Sequence, residues 1–121
     1  MTTILVVDDE FLVADVLMFA LEDEGYQVRL ANNGLRALEQ LSREPVDLII
    51  TDYMMPSMNG MELAETIRTS LGEESPPIIM MSGAQAHIGR RRTDLFAAVF
   101  DKPFKMAEIM ASVRDIVGAA S

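Results

Sequence analysis

One stretch narrows the possible folds more than any other. Val46, Leu48, Ile49 and Ile50 form an apolar run rich in β-branched residues, interrupted only by Asp47 and closed by Asp52. It is too short for a typical helix and lacks the alternation of a half-exposed strand. It reads as a strand buried on both faces, at the centre of a parallel sheet. Pro56, Ser57, Asn59 and Gly60 then mark a loop and the start of a helix. The carboxylate of Asp52 therefore sits at the carboxyl end of a central strand, the edge at which open α/β sheets hold their ligands.

Four more short runs repeat this design. Thr3 to Val7 ends in Asp8, Asp9 and Glu10; Pro77 to Ser82 ends in a hydroxyl; Ala98 to Asp101 is followed by Lys102; and Gln27 to Ala31 places Val28 and Leu30 on one face. Between the runs the period changes. Val13, Val16, Leu17, Ala20 and Leu21 recur at helical spacing from Phe11 up to Gly25, a helix stop. Asn32 and Asn33 are positioned to cap a second helix, in which Leu35, Leu38 and Leu41 share a face and which Glu44 and Pro45 end. Leu63, Ala64, Ile67 and Leu71 mark a third helix, finished by Gly72, and Glu73 to Pro77 is a polar connection. Met106, Ile109, Met110, Val113, Ile116 and Val117 mark the last helix. From Gly83 to Phe96 the glycine and arginines dilute the pattern, predicting a short or irregular helix. The tail from Gly118 is expected to fray. Strands alternating with helices, without repeats or linkers, predict one α/β domain over residues 1–121: a five-stranded, doubly wound parallel sheet with helices on both faces.

Composition excludes several classes. The chain has 121 residues, enough for a core without metal or disulfide staples. A formal net charge of -9 opposes direct nucleic-acid binding. No window is apolar for long enough to cross a bilayer, and no basic leader or cleavage site precedes the first strand. There is no cysteine, which removes thiolate metal sites and agrees with a reducing, cytoplasmic setting. Most of the 10 methionines read as malleable core filler, with a few exposed ones suited to an adaptable binding face.

In a parallel sheet the strand ends share one edge, so Asp8, Asp9, Asp52, Ser82 and Lys102 converge. Crowded carboxylates raise one another's pKa. A divalent cation relieves that, and oxygen donors with no His or Cys nearby favour Mg²⁺. Lys102 adds a fixed cation and Ser82 a hydroxyl. The set suits an anionic group such as phosphoryl, with a carboxylate nucleophile beside it. Singly these residues mean less: acids before a helix also cap it and favour its dipole. His87 reads as an exposed helix residue, and Arg90 to Arg92 as a solvated helix face rather than an acid-docking patch.

The segments VVDDE at 6–10, IITDYMMPSMNG at 49–60, MSGA at 81–84 and KPF at 102–104 are specific in order and spacing. With them the chain resembles, over essentially its whole length, the receiver domain of two-component response regulators, and in particular stand-alone receivers of the chemotaxis type. The resemblance implies a flavodoxin-like sheet of order 2-1-3-4-5 and no effector domain. It implies that Asp52 is the phosphoacceptor, supplied by a sensor histidine kinase or a histidine phosphotransfer protein. Asp9 would ligate Mg²⁺ directly and Asp8 mostly through water, with Asp52 and the backbone carbonyl of Met54 completing the set. Ser82 and Lys102 would contact phosphoryl oxygens, and the Lys102–Pro103 peptide is expected to be cis. The output would be a changed surface around the fourth helix, fifth strand and fifth helix, presented to a downstream protein. Such a domain is a signalling phosphoacceptor, promoting only its own phosphorylation and dephosphorylation. The chain departs from the family at Val99, where an aromatic ring is usual. Phe100 is expected on the opposite face of the strand, and the segment before Lys102 is short.

Two other classes fit less well. An aspartyl phosphatase on a related sheet would place a second Asp two residues after the nucleophile, where this chain has Met54. A flavodoxin-like electron carrier would need a hydroxyl- and glycine-rich loop after the first strand, whereas Asp8, Asp9 and Glu10 would repel a flavin phosphate.

Overall fold

Strands form where the β-branched runs lie, and each ends at or beside the polar residue that closes its run. β1 (Thr3–Val7), β2 (Gln27–Ala31), β3 (Leu48–Asp52), β4 (Ile78–Ser82) and β5 (Ala98–Asp101) alternate with α1 (Phe11–Asp23), α2 (Gly34–Arg43), α3 (Gly60–Leu71), α4 (Ala86–Arg90) and α5 (Met106–Val117). A 3-10 turn, Gly72–Glu74, follows α3. This computed structural model describes residues 1–83 and 86–120, so Ala84 of the MSGA segment lies outside the described residues. All strand pairs are parallel, in the order β2-β1-β3-β4-β5. β3 is central, and all five of its residues are buried. Val46 and Pro77 fall just outside their strands. Asp47, the acid that interrupts the central run, accepts the Thr3 N–H at 2.8 Å and so ties down the start of β1.

Alternation along the strands divides the core in two. Ile4, Val6, Leu48, Ile50, Ile79 and Met81 face Leu17 and Leu21 of α1 and Ile109 and Val113 of α5. Leu5, Val7, Ile49, Ile78 and Met80 face Ala37 of α2, Leu63 and Ile67 of α3, and Leu95 and Phe96. Helices thus cover both faces, as the unbroken apolar strands require. Caps set where helices begin. The Asn33 side chain accepts the Arg36 N–H, and Asn59 forms a reciprocal capping box with Glu62.

Three local expectations are corrected. In α2 the leucine stripe is inward only in part: Leu38 and Leu41 pack against the core, but Leu35 is exposed, while Gly34 and Ala37 are buried. Close approach decides this, since a Cβ at Gly34 would lie 2.7 Å from Met58 Sδ. In α1, Val16 is exposed although it follows the helical pattern. Gly118 and Ala120 of the tail are tied rather than frayed, because the Tyr26 hydroxyl donates to the Gly118 carbonyl at 2.7 Å and Ala120 packs on the core, while Ser121 lies outside the described residues. The fourth helix is short, as expected. Gly89 lets it lie against Met80 and Val99, and Val99 and Phe100 face opposite sides of the sheet. His87 is exposed; Arg90 pairs with Asp101, and Arg92 with Asp94 and Glu65, all at the surface. Among the described residues no helix is long and apolar enough to cross a membrane.

Candidate functional site

The carboxyl edge of the sheet brings together residues from three strand ends, each on backbone still held by its neighbour. Asp8 follows β1, and its N–H donates to the Ala31 carbonyl of β2 at 3.1 Å. Asp52 ends β3 in register with Met81, and the Tyr53 N–H just beyond it donates to the Met81 carbonyl at 2.9 Å. Lys102 follows β5, with its N–H donating to the Ser82 carbonyl at 2.8 Å. The Lys102–Pro103 peptide is cis, as expected.

The side chains converge. Lys102 Nζ lies 2.9 Å from Asp52 Oδ1, the separation of a direct ion pair. It also lies 3.6 Å from Glu10 Oε1. Asp52 is 3 % exposed and Asp8 2 %, so both carboxylates sit in a pocket with little water. Asp8 Oδ1 accepts the Glu10 N–H at 2.8 Å, while Asp8 Oδ2 is buried with no hydrogen-bond partner among the described residues. Oxygens of Asp8, Glu10 and Asp52 all lie within 4.8 Å of one another.

Burial sets the electrostatics. Desolvation raises the Asp8 pKa to about 6, helped by the charges of Asp52 and Glu10 and opposed by the Glu10 N–H and by Lys102. Desolvation also raises Asp52, against the pull of Lys102 and with a push from Asp9. For Lys102, burial alone would lower the pKa. The bond to Asp52 and the charges of Asp52, Asp8 and Glu10 outweigh it, so the ammonium is held more firmly than usual. The buried Asp8 oxygen beside the Asp52 carboxylate offers hard oxygen donors to a divalent cation, and Mg²⁺ fits them.

Of the residues read from sequence, the structure brings Asp8, Asp52 and Lys102 into contact range. Ser82 closes β4, fully buried, one residue past the level of Asp52 on the adjoining strand. Asp9 is exposed and outside the cluster of carboxylate oxygens, and Met54 is also exposed. Glu10 takes the place by the lysine that the sequence reading left unassigned. Three consecutive acids look alike in sequence; the turn closed by the Glu10 N–H on Asp8 is what separates them.

A parallel sheet of order 2-1-3-4-5 with a carboxylate–lysine pocket at its carboxyl edge is the flavodoxin-like receiver architecture. The response regulator receiver domain family matches residues 4–114, and the chain belongs to that family. It is 35 % identical over 117 residues to the response regulator MprA of Mycobacterium leprae, an alignment covering 94 % of this chain and 50 % of that protein. The chain thus spans about half the length of the curated relatives it matches. Among solved structures it is similar to the response regulator TrrA of Thermotoga maritima in complex with Mg²⁺-BeF, with 33 % identity, a TM-score of 0.81, and coverage of 96 % of this chain and 99 % of that one. It is also similar to the chemotaxis protein CheY4 of Vibrio cholerae, with 25 % identity, a TM-score of 0.84, and coverage of 96 % and 98 %. Receiver domains are phosphoacceptor signalling domains rather than conventional enzymes.

Proposed function

We propose that this domain takes a phosphoryl group on Asp52 from a phosphohistidine of a sensor histidine kinase or histidine phosphotransfer protein, and that the product alters its binding to a downstream protein in the cytoplasm. The observation that carries the reading is the 2.9 Å Asp52–Lys102 pair beside the unpartnered oxygen of Asp8. In the transfer, an Asp52 oxygen attacks phosphorus in line. The phosphorus–nitrogen bond of the donor breaks, and its electron pair leaves on the imidazole, which then takes a proton. Such transfers need positioning and neutralised charge more than covalent help. Lys102 supplies a cation at the acceptor oxygen. Asp8, Asp9 and Asp52, with the Met54 carbonyl, are the residues that would hold Mg²⁺; the exposed side chain of Asp9 is not fixed by packing. When bound, Mg²⁺ neutralises charge on the phosphoryl oxygens. Ser82 would donate its hydroxyl to a phosphoryl oxygen, and that bond would carry the change in charge from the site to the surface beyond β4.

A protein donor also accounts for a patch that a monomeric domain does not need. Phe11, Leu12, Val16 and Phe19 of α1 are each more than half exposed. Leu12, Val13 and Val16 line a shallow depression with Phe104, two residues past Lys102. Apolar surface of this extent beside a reactive group marks a docking face. The proposal holds equally for a free-standing receiver and for one joined to another domain.

The test is intact mass after incubation with acetyl phosphate and Mg²⁺. The wild-type chain should gain one phosphoryl group, and Asp52→Asn none. An unchanged wild-type mass, or an equal gain in Asp52→Asn, would overturn the assignment.

A further inference from the structure

We infer that Glu10 selects the phosphodonor: its carboxylate stands at the mouth of the Asp52 pocket and disfavours small, highly charged anionic donors relative to protein donors. The inference rests on Asp52 being the acceptor. Asp52 itself is almost enclosed, whereas the Lys102 side chain is 25 % exposed and that of Glu10, on the same ammonium, 62 % exposed. Glu10 lies 3.6 Å from the ammonium, farther than Asp52 at 2.9 Å, so it is the outer and weaker partner of Lys102. Its backbone is fixed, since its N–H donates to Asp8 and its carbonyl accepts the Ala14 N–H at 3.1 Å, while its side chain makes no capping bond to α1. A negative charge held in place, turned to solvent and bound only at its tip is poorly explained as packing or capping.

Its electrostatic effect follows directly. An anionic donor nearing Asp52 meets a like charge at the entrance, and the repulsion scales with the donor's own charge. A protein donor that carries a cation beside its phosphorylated side chain meets attraction at the same point. Glu10 is therefore a specificity-determining residue and takes no part in bond making. In either reaction an Asp52 oxygen bonds to phosphorus while the old bond breaks, releasing acetate from acetyl phosphate or ammonia from phosphoramidate.

These two donors give the test, because phosphoramidate carries a protonated nitrogen and about one unit less negative charge near neutral pH. Phosphorylation rates are read by intact mass with Mg²⁺ for wild type, Glu10→Gln and Glu10→Lys. Glu10→Gln should accelerate acetyl phosphate about tenfold and phosphoramidate about threefold, the smaller gain following from the smaller charge. Both gains should shrink in high salt, and Glu10→Lys should exceed Glu10→Gln. Mg²⁺ affinity, measured by calorimetry on the same proteins, should change less than threefold. Equal gains for both donors, or none, overturn the role of Glu10 while leaving Asp52 as acceptor. A tenfold loss of Mg²⁺ affinity makes Glu10 a cation ligand instead, and also overturns it. Failure of wild type to take phosphoryl from either donor removes the Asp52 assignment and this inference together.

Discussion

Asp8 is buried at a cost that the Glu10 N–H and the Lys102 charge relieve only in part. One of its oxygens has a backbone N–H and the other has no partner, and burial raises its pKa from 3.8 to about 6. The folded state then holds this proton more tightly than the unfolded chain does. The stability involved is fully present below about pH 4 and is lost as the pH rises through about 6. At neutral pH the penalty is up to about 3 kcal/mol. Asp8→Asn keeps an acceptor for the Glu10 N–H and removes the charge. In EDTA at pH 7 it should stabilise the protein by about 1–3 kcal/mol and flatten the fall in stability between pH 4 and 6, as read by urea denaturation across pH. A variant no more stable than wild type would mean that Asp8 is not strained by burial. The sequence displayed the acid at this position plainly, but not which of its two acidic neighbours would share its pocket. Residue type carries no information about that; the direction of a three-residue turn decides it.

Helix α3 reaches the site through its first turn. Gly60 opens the helix, and its N–H donates to the Tyr53 carbonyl at 2.8 Å. A Cβ there would stand 2.6 Å from the Asp52 carbonyl oxygen and 3.1 Å from Tyr53 Cα, both backbone atoms with nowhere to go. Gly60→Ala should therefore cost about 1–3 kcal/mol as overpacking, despite the better helix propensity of alanine. Asn59→Ala, which removes the capping box one residue earlier, should cost about 1 kcal/mol. The two differ in what else they disturb. Gly60→Ala must displace the end of β3 and should slow phosphorylation by acetyl phosphate, whereas Asn59→Ala should leave it near wild type. Paired urea midpoints and intact-mass rates separate them, and similar rates for both would detach the helix start from the site. Sequence reading placed a turn and helix start at these residues without detecting the close approach, because a tolerated φ and a missing side chain look the same in one letter. The same limit explains α2, where Gly34 and Ala37 make the closest approach to the core and Leu35, although in line with Leu38 and Leu41, is exposed. Periodicity served best where it had no rival, in the unbroken apolar runs that became β1, β3 and β4.

At the scale of the whole molecule, two kinds of negative charge must be told apart. The chain carries a formal net charge of -9, spread widely, and within it lies one cluster of Asp8, Glu10 and Asp52, in which Asp8 and Asp52 are buried. Diffuse repulsion is relieved by any salt, since exposed charges are screened over about 10 Å at moderate ionic strength. The buried pair, Asp8 and Asp52, is shielded from mobile ions and needs a cation that enters. MgCl₂ and NaCl at matched ionic strength should therefore differ. Both raise the thermal midpoint of the EDTA-treated protein slightly, but Mg²⁺ adds a saturable increase worth about 2.7 kcal/mol at a hundredfold excess over its Kd. For a domain of this size that is roughly 10 °C. The added increase should vanish in Asp8→Asn and Asp52→Asn, while the NaCl response persists in both. If NaCl reproduces the whole effect in wild type, the strand ends hold no specific cation, and neutralisation at Asp52 must come from Lys102 alone. If the increase survives in both variants, the cation binds elsewhere on the acidic surface. The topology makes the test discriminating: the order β2-β1-β3-β4-β5 brings the ends of β1 and β3 side by side, so losing either acid should remove one and the same site.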